Sequence, residues 1–358
     1  MKILYGVTGE GMGHAIRSRV VLEHLIQNEG HEVEIIASNR AATFLRAHFP
    51  EVHTIHGLHI VTEENRVRRG KTLWSNVREG LKNLPGQIDR YFDLIEDFQP
   101  QAVISDFESF SYLYAKAHDL PIVSIDNQQV MSRCEVPAEV ISDDRADFEV
   151  VKAFVKAKLP FCDQYLVATF MRPPIRKKRT KLFPPILRNI ITSAKPVEGE
   201  HLLVYQTTQE NSDLLDALRQ SGRECRIYGM RRELIEDEVE GNLRFRPFSE
   251  TTFVEDLRTS RAVVASAGFT LMGECIALSK PLLAVPLAGQ FEQVFNARYL
   301  AHEGYGATAD AVDTATLTAF LSSTTRYRDA LATFTHDGNR ALLAALDETL
   351  DQAAAGLL

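Results

Sequence analysis

Short apolar runs alternate with amphipathic stretches along most of the chain. In the first half these patterns predict strands at 2–7, 33–37, 54–61, 102–105, 122–126 and 164–168, and helices at 14–27, 40–48, 71–97 and 108–118. In the second half they predict strands at 201–205, 225–228, 262–265 and 282–285, helices at 211–219, 250–258, 269–278, 290–303 and 313–321, and a helical tail at 336–355. Such alternation is typical of βαβ units, so the sequence predicts an α/β fold with two doubly wound domains, each built on a parallel sheet.

A compositional break separates the two halves. Residues 172–188 contain four prolines and seven basic residues, and no acidic residue occurs from Gln164 to Val197. Because proline pairs break helices and stiffen a connection, we place an inter-domain linker here. We predict an N-terminal domain at 1–180, a C-terminal domain at 181–335 and a final helix at 336–358 that packs back on the N-terminal domain. Doubly wound domains bind ligands at the carboxyl ends of their strands, so we expect a cleft there.

The composition is that of an ordinary soluble protein. Of the 358 residues, 45% are hydrophobic and 25% are charged, which excludes a disordered tail, a collagen-like fibre and a disulfide scaffold. No apolar stretch is long enough to span a bilayer, and the run at 1–7 is too short for a signal peptide. The four cysteines are far apart and predict reduced thiols in a cytoplasmic protein. The net charge of −8 argues against nucleic acid as a partner.

A glycine-rich loop follows the first predicted strand and opens a helix: Thr8-Gly9-Glu10-Gly11-Met12-Gly13-His14. Glycines let the backbone approach a ligand, and a helix N-terminus favours an anion. A dinucleotide fingerprint requires glycine where this loop has His14, although Ser38-Asn39-Arg40 after the second strand suits the 2′-phosphate of NADP. The His14 imidazole can accept a proton from a hydroxyl near neutral pH. The alternative is that His14 only forms hydrogen bonds within the loop.

A second loop of small residues, Ser266-Ala267-Gly268-Phe269-Thr270, follows the strand at 262–265 and also opens a helix. Its free backbone N–H groups suit a diphosphate. Glu274 comes four residues after Thr270, hence on the same helical face, where it can accept hydrogen bonds from a ribose diol. Glu292 and Gln293 at the next helix start suit the hydroxyls of a sugar. The alternative for these residues is capping of the first helical turn.

Three segments carry a resemblance to a known family. The chain is similar to GT-B-type glycosyltransferases, which have two Rossmann-like domains facing across a cleft, and within them to the group related to the peptidoglycan lipid-intermediate N-acetylglucosaminyltransferase. The first segment, from Gly9 to Ser18, resembles the G-x-G-H-x-x-R-S loop of that group, and the second extends from Ser266 to Gly304. The third is Pro184-Pro185-Ile186-Leu187-Arg188, which resembles the start of the second domain.

The resemblance implies a role for each matching residue. Gly268, Phe269 and Thr270 would hold the diphosphate of a UDP-sugar, and Glu274 would bind its ribose. Glu292 and Gln293 would contact the donor sugar, and Phe248 the uracil ring. His14 would lie near the reacting hydroxyl. We also place Gly11, Gly13 and Gln290 on the donor side, and Arg17 and Asn127 on the acceptor side.

One departure from the group concerns the catalytic base. Where the peptidoglycan enzyme has His-Glu-Gln-Asn, this chain has Asp126-Asn127-Gln128-Gln129, without the acidic residue at the matching position. The base is therefore His14 or Asp106, and a peptidoglycan precursor is not implied as the acceptor. The implied reaction is an inverting single displacement from a UDP-sugar co-substrate, with no cofactor. No D-x-D sequence occurs, and we expect no metal.

Two further features have alternative interpretations. His53, His56 and His59 have spacing reminiscent of a zinc site, but in a strand successive members point to opposite faces, so we favour structural roles. The basic segment 172–188 is either a solvated connector or a contact with anionic lipid at the inner face of the membrane, with Leu182, Phe183, Ile186 and Leu187 inserting beside it.

The predicted function is sugar transfer to a hydroxyl acceptor, either lipid-linked or a glycan. The alternatives are a nucleotide-sugar hydrolase, a non-catalytic nucleotide-sugar-binding protein and an NADP oxidoreductase.

Overall fold

The computed structural model describes residues 1–9, 11–55, 95, 97–141, 144–206 and 212–358. The chain forms two compact units. The N-terminal unit comprises Met1–Val136, Asp144–Ile186 and Asn339–Leu358. The C-terminal unit comprises Pro137–Asp143 and Leu187–Gly338.

A parallel sheet forms the centre of the N-terminal unit. In its described residues the sheet has seven strands in the order β3-β2-β1-β4-β5-β6-β7. The strands are β1 (Lys2–Val7), β2 (Glu32–Ser38), β3 (Val52–Ile55), β4 (Ala102–Asp106), β5 (Ile122–Asp126), β6 (Gln164–Ala168) and β7 (Thr180–Phe183). Every residue of β4 and β5 is buried, as expected for strands covered on both faces.

The helices of the N-terminal unit connect and cover these strands. They are α1 (Met12–Glu23), which continues as one π-helical turn (His24–Asn28), α2 (Asn39–Arg46), α3 (Ser109–Ala117), α4 (Gln129–Arg133), α6 (Arg145–Lys158) and α14 (Arg340–Ala354). In chain order α5 (Ala138–Ile141) follows α4, and it belongs to the C-terminal unit. Helix α14 comes from the chain end, and its Leu342, Leu346 and Leu350 pack in the same apolar cluster as β1 and α1.

The C-terminal unit repeats the doubly wound plan. Its described residues form a seven-stranded sheet in the order β10-β11-β9-β8-β12-β13-β14, parallel except for the β10–β11 pair. The strands are β8 (Leu202–Tyr205), β9 (Cys225–Tyr228), β10 (Glu238–Glu240), β11 (Leu243–Arg246), β12 (Ala262–Ala265), β13 (Leu282–Ala284) and β14 (Gly306–Thr308).

Five helices of the C-terminal unit lie close to the five predicted at 211–219, 250–258, 269–278, 290–303 and 313–321, and two of them begin at side-chain caps. Ser249 accepts a hydrogen bond from Thr252 N, and Asp313 accepts one from Thr316 N. The helices are α5 (Ala138–Ile141), α7 (Asn189–Thr192), α8 (Ser212–Gln220), α9 (Glu250–Arg258), α10 (Phe269–Ala277), α11 (Phe291–His302), α12 (Thr314–Ser322) and α13 (Thr324–Leu331).

The α/β prediction with two parallel sheets is confirmed, but several elements differ from the sequence pattern. Strand β7 lies inside the basic segment that the composition marks as a linker, and it pairs with β6 as an edge strand. Ile186 and Leu187 are buried, so they are not available for insertion into lipid. The pattern also missed β10, β11, β14, α4, α5, α6, α7 and α13.

Some predictions concern parts of the chain that lie outside the described residues. These are the helix at 71–97 except for its last residues, the strand at 54–61 beyond Ile55, and the histidines at 56 and 59. Within the described residues, no helix is long and apolar enough to cross a membrane. The four cysteines, Cys134, Cys162, Cys225 and Cys275, are buried and form no disulfide.

Candidate active site

The first glycine loop joins β1 to α1 in the N-terminal unit. Gly9 donates its backbone N–H to Ser38 Oγ at 2.8 Å, and a Cβ at this position would lie 2.2 Å from Ser38 O. Only glycine therefore permits this close approach of the loop to β2. Gly11 precedes the helix in extended conformation and provides no side-chain cap. Because a Cβ on Gly11 would meet no described atom within 4 Å, the start of α1 has open space for a ligand.

His14 lies in the first turn of α1 and contacts the end of β4. Its Nδ1 is 2.8 Å from Oδ1 of Asp106, although 92 positions separate the two residues in sequence. The contact forms because β4 is the neighbour of β1 in the sheet, so both strands end beside the same helix start. The sequence analysis offered His14 and Asp106 as alternative catalytic bases, and the structure brings these two residues into contact. Asp106 is fully buried, whereas His14 is 8% exposed.

Arg17 and Ser18 hold the other donors to the Asp106 carboxylate. Arg17 Nε donates to Oδ2 at 2.8 Å, its Nη2 donates to Oδ1, and Ser18 Oγ donates to Oδ2 at 2.8 Å. Burial raises the pKa of Asp106, but the charge of Arg17 and the hydrogen bonds from His14 and Arg17 more than offset burial and hold that pKa well below its usual range. Asp106 is therefore a buried carboxylate that orients the side chains around it.

The opposite ring nitrogen of His14 faces Gln128, which follows β5. Gln128 Nε2 lies 3.3 Å from His14 Nε2, and Asn127 Oδ1 accepts from Arg17 Nη1 at 2.5 Å. Arg17 and Asn127 are both buried, and their hydrogen bonds make them supports of the His14–Asp106 pair. Contact of either residue with an acceptor stays a prediction.

An aromatic side chain follows Asp106 directly. Phe107 has a φ of +54°, which is unusual for a residue with a side chain, and its ring stacks on the His14 ring at a centroid distance of 6.4 Å. Lys158, the last residue of α6, places its Nζ 4.1 Å from the centroid of the same ring. The strained backbone at the end of β4 is a feature that often accompanies functional sites.

In the C-terminal unit, the predicted diphosphate loop joins β12 to α10. Gly268 precedes α10 without a side-chain cap, and a Cβ there would meet no described atom within 4 Å. A side chain of a later helix holds this loop in place, because Asn296 Nδ2 donates to Ala267 O at 3.4 Å. The first backbone N–H groups of α10, near Phe269 and Thr270, can therefore receive an anion.

The predicted ribose ligand Glu274 is buried on α10 and pairs with Arg188. Arg188 Nε donates to Glu274 Oε1 at 2.8 Å, and the Nη2 atom forms an ion pair with the same oxygen at 2.7 Å. Burial raises the pKa of Glu274, and the charge of Arg188 offsets part of that rise.

The polar residues before and in the first turn of α11 are largely engaged with one another. Gln293 Nε2 donates to Gln290 Oε1 at 2.7 Å, and Gln293 Oε1 accepts from Leu287 N at 3.1 Å. This arrangement matches the capping alternative for Gln293, while Gln290 is exposed and Glu292 half-buried. Their contact with a donor sugar stays a prediction.

Phe248 follows β11 and is 66% exposed. Its ring packs against Phe253 and Tyr228 at centroid distances of 5.8 and 6.5 Å, so one aromatic face rests on a support. An exposed and supported ring can stack on a nucleobase.

A cavity of about 640 Å³ lies elsewhere in the C-terminal unit. Three arginines there face three carboxylates, and Arg226 Nη1 donates to Asp256 Oδ1 at 2.7 Å. The opposite charges balance, so the cavity does not favour a diphosphate, and it includes none of the predicted donor residues. It is lined by Glu224, Arg226, Arg244, Arg246, Thr251, Thr252, Glu255 and Asp256.

Among the described residues, one trio has the spacing of metal ligands: His24, Glu29 and Asp347. His24 Nε2 already lies 2.9 Å from Asp347 Oδ1, which links the π-helical turn to α14. His53 Nε2 contacts Glu34 Oε1 at 2.5 Å across the neighbouring strands β2 and β3. This contact is consistent with the structural role that we expected for His53.

Sequence reasoning assigned no role to Gln128, Phe107, Lys158 or Arg188. For Gln128 a signal was present, because it lies in the segment that matches the base region of the resembling group. Phe107 and Lys158 meet only through the packing of α6, and Arg188 is 86 positions away from Glu274.

Comparison with known proteins places this geometry in a family. The profile of glycosyl transferase family 1 matches residues 1–324, which is most of the chain. The chain belongs to glycosyl transferase family 1. Two similar proteins are uncharacterized glycosyltransferases of Methanosarcina mazei, 25% identical over 335 residues, and of Methanosarcina acetivorans, 24% identical over 336 residues. Each alignment covers 86% of this chain and 85% of the relative.

Solved glycosyltransferases share the fold at low sequence identity. A UDP-glucose:anthocyanidin 3-O-glucosyltransferase in complex with UDP has a TM-score of 0.70 at 14% identity, covering 98% of this chain and 99% of its own. The spinosyn rhamnosyltransferase SpnG complexed with thymidine diphosphate has a TM-score of 0.62 at 18% identity, covering 98% and 100%. A glycosyltransferase of Streptomyces sp. SF2575 has a TM-score of 0.64 at 16% identity, covering 97% and 99%.

The family 1 chain is thus a glycosyltransferase with two Rossmann-like domains of the GT-B type. The family favours this function over the oxidoreductase and non-catalytic alternatives.

Proposed function

We propose that the protein transfers a sugar from a UDP-sugar to an acceptor hydroxyl, with inversion and without a metal ion. The observation that carries this proposal is the His14–Asp106 pair at the open start of α1. A neutral histidine held at Nδ1 by a buried carboxylate is the arrangement that a general base requires.

In the proposed reaction the acceptor oxygen attacks the anomeric carbon of the donor. His14 Nε2 takes the hydroxyl proton as the new C–O bond forms, and Asp106 stabilises the resulting imidazolium through Nδ1–H. The bond from the anomeric carbon to the diphosphate breaks, and UDP leaves with the electron pair. A single displacement of this kind inverts the anomeric configuration.

The donor is proposed to bind through the C-terminal unit. The uncapped start of α10 at Gly268 offers backbone N–H groups that stabilise the leaving diphosphate, in place of a metal. Glu274 suits the ribose, and Phe248 suits the uracil ring. Neighbouring structures are complexes with UDP and with thymidine diphosphate, and the predicted contact of Glu274 with a ribose diol favours UDP.

The acceptor is proposed to be lipid-linked and reached at the inner, cytoplasmic face of a membrane. Support comes from a cationic face on the N-terminal unit, defined by Lys152, Lys156, Arg176 and Lys177. Burial, together with the charges of Arg133 and of the other members of this face, lowers the pKa of Lys177, so these cations lie close together. Ile175, beside Arg176, is 48% exposed. A local cluster of cations next to an apolar side chain suits an anionic lipid surface.

Kinship with the peptidoglycan N-acetylglucosaminyltransferase group remains part of this proposal. It is supported by the loop from Gly9 to Ser18 and by the segment from Ser266 to Gly304, whereas Asp126-Asn127-Gln128-Gln129 departs from the group. A glycan acceptor is the alternative to a lipid-linked one.

The test is to incubate the purified full chain with a panel of nucleotide sugars, with and without lipid extract, and to measure thermal stability and released nucleotide. We expect one UDP-sugar to raise the melting temperature and to release UDP only when an acceptor is present. His14→Ala should keep the thermal shift and lose about 10²- to 10⁴-fold in release rate. UDP release without an acceptor would instead indicate a hydrolase, and stabilisation by no nucleotide sugar would contradict the donor assignment.

A further inference from the structure

Arg188 connects three helices of the C-terminal unit at the predicted ribose site. It stands directly before α7, and its side chain is 13% exposed. Its Nε donates to Glu274 Oε1 on α10 and its Nη2 forms an ion pair with that oxygen, while Nη1 donates to Glu250 Oε1 at the start of α9, at 2.7 Å. Such a planar fork of donors fixes the position of a carboxylate more strictly than a point charge does.

The two oxygens of Glu274 are in different situations. Oε1 receives both contacts from Arg188, while Oε2 accepts no hydrogen bond from any described residue. The Glu274 side chain is 3% exposed. A carboxylate with so little solvent would tend to take up a proton, and the neighbouring guanidinium opposes that tendency. Arg188 therefore favours the charged form of Glu274 and leaves one oxygen available as an acceptor.

We propose that Arg188 is a positioning residue for donor selection, which fixes the Glu274 side chain through Oε1 so that Oε2 accepts a hydrogen bond from the 2′-hydroxyl of the nucleotide. This inference rests on the proposed binding of the donor at α10. It assigns the donor to the ribonucleoside diphosphate sugars and against their 2′-deoxy counterparts. A buried carboxylate that loses its hydroxyl partner is left unsatisfied, and such sites discriminate strongly against ligands that lack the group.

An alternative role for Arg188 is purely structural, as a tether between α7, α9 and α10. Loss of a tether lowers the melting temperature and weakens all nucleotides equally. Loss of a positioning residue changes the ratio of affinities for two nucleotides that differ only in the 2′-hydroxyl. This ratio is therefore the decisive measurement.

The experiment is isothermal titration of the full chain with UDP and with 2′-deoxy-UDP at pH 6 and pH 8. We expect the unmodified protein to prefer UDP by about 10- to 100-fold, the size of a hydrogen bond to a charged group. Arg188→Met should reduce the preference to about 3-fold or less at pH 6. The preference of this variant should increase from pH 6 to pH 8, because burial raises the pKa of Glu274 and no guanidinium opposes that rise. Arg188→Lys, which keeps the charge, should retain most of the preference.

Two control variants separate positioning from stability. Arg258→Met removes another arginine of the same unit, which pairs with Glu255 on α9, and should leave the ratio unchanged. Glu250→Gln removes the second partner of Arg188 while keeping its contact with Glu274, and should also retain the preference.

Three results would overturn the inference. An unchanged ratio in Arg188→Met with a lower melting temperature would show a tether only. Equal affinity of the unmodified protein for both nucleotides would show that Glu274 does not bind the 2′-hydroxyl, and it would leave the proposed transferase function intact. Failure of the unmodified protein to bind either nucleotide would overturn the proposed function, and the inference with it.

Discussion

His14 Nδ1 has two neighbours that make opposite demands on its proton. Asp106 Oδ1 at 2.8 Å accepts from an Nδ1–H group, whereas Arg17 Nη2 at 2.7 Å can only donate to an unprotonated Nδ1. In the first arrangement Nε2 is an acceptor for Gln128, and in the second it carries the proton. Only the first leaves Nε2 able to take a proton from a hydroxyl, so substrate must replace Gln128 there, and Asp106 must hold the tautomer.

Replacing the carboxylate of Asp106 therefore affects catalysis more than donor binding. We expect Asp106→Asn to lower kcat by about 10²- to 10⁴-fold, because the amide no longer secures the reactive tautomer or stabilises the imidazolium. The affinity for UDP, measured by titration, should not change. The variant also leaves the Arg17 guanidinium buried without its counter-charge, at a cost of about 3–5 kcal/mol in unfolding free energy, so activity is measured well below its melting temperature.

Asp126→Asn is the matched control. Asp126 is equally buried at the end of the neighbouring strand, but its partners are neutral: Ser124 Oγ at 2.7 Å and Gln129 N at 2.8 Å. Burial raises the pKa of this carboxyl, so an amide is a smaller change here. Its kcat should stay within about 3-fold of the unmodified protein, since no charge is lost beside His14. A folded Asp106→Asn protein with full kcat would contradict the role of this residue.

At the scale of elements, Lys280 ties the start of β13 to two other segments. Its Nζ donates to the backbone oxygens of Val197 and Ser260, both at 2.8 Å, and its side chain is buried. In the sequence this lysine lies directly before Pro281, inside the segment from Ser266 to Gly304 that carries the resemblance. The structure gives it a role in joining the loop after α7 to the β12–β13 edge.

The burial of Lys280 makes the stability of the C-terminal unit depend on pH. Burial and the nearby charge of Arg328 lower the pKa of Lys280 to about 8. The unfolded chain, with a lysine pKa near 10.4, then binds a proton between about pH 8 and pH 10.4 that the folded protein has released. The contribution of Lys280 to the free energy of unfolding therefore increases with pH across that window. Relative to Lys280→Met, the unmodified protein should gain melting temperature from pH 7.5 to pH 10, which calorimetry can measure.

The outcome for Lys280 has a matched control in Lys195→Met, which removes an exposed lysine of the same unit. The difference between that variant and the unmodified protein should be the same at both pH values. A constant difference for Lys280→Met as well would contradict the assignment.

How far the sequence predicted these elements depends on how local their signals are. The starts of α1 and α10 were predicted because glycines mark them in the chain itself. Strand β7 was missed because Thr-Lys-Leu-Phe at a half-buried edge shows no apolar run. Helix α6 did carry a signal, since Phe148, Val151 and Val155 have helical spacing. The pairs His14–Asp106 and Arg188–Glu274 join distant residues, so only the sheet order and helix packing reveal them.

At the scale of the whole molecule, charge is distributed unevenly. The chain carries a net charge of −8, and an anionic surface should repel it on average. The cationic face opposes this trend, and its members Arg176 and Lys177 belong to the stretch from Gln164 to Val197, where no acidic residue occurs. Lys152 Nζ forms an ion pair with Glu149 Oε1 at 3.0 Å. Arg176 is exposed and directly follows Ile175, which forms an isolated β-bridge with Cys134. Attraction to a membrane must then be short-ranged and must depend on a few side chains.

This distribution predicts salt-sensitive binding to anionic vesicles. The full chain should co-sediment with vesicles of phosphatidylglycerol and phosphatidylcholine at low ionic strength but not with phosphatidylcholine alone, and binding should fall as salt shortens the Debye length from about 30 Å at 0.01 M to about 8 Å at 0.15 M. Reversing two exposed charges of the cationic face, Lys156→Glu with Arg176→Glu, should abolish sedimentation, because each basic residue contributes about 1 kcal/mol near such a surface. Lys195→Glu with Arg326→Glu changes the net charge equally on exposed residues of the C-terminal unit and should leave binding intact. Equal loss in both double variants would mean that net charge alone governs the interaction, and the cationic face would then have no specific part in reaching a lipid-linked acceptor.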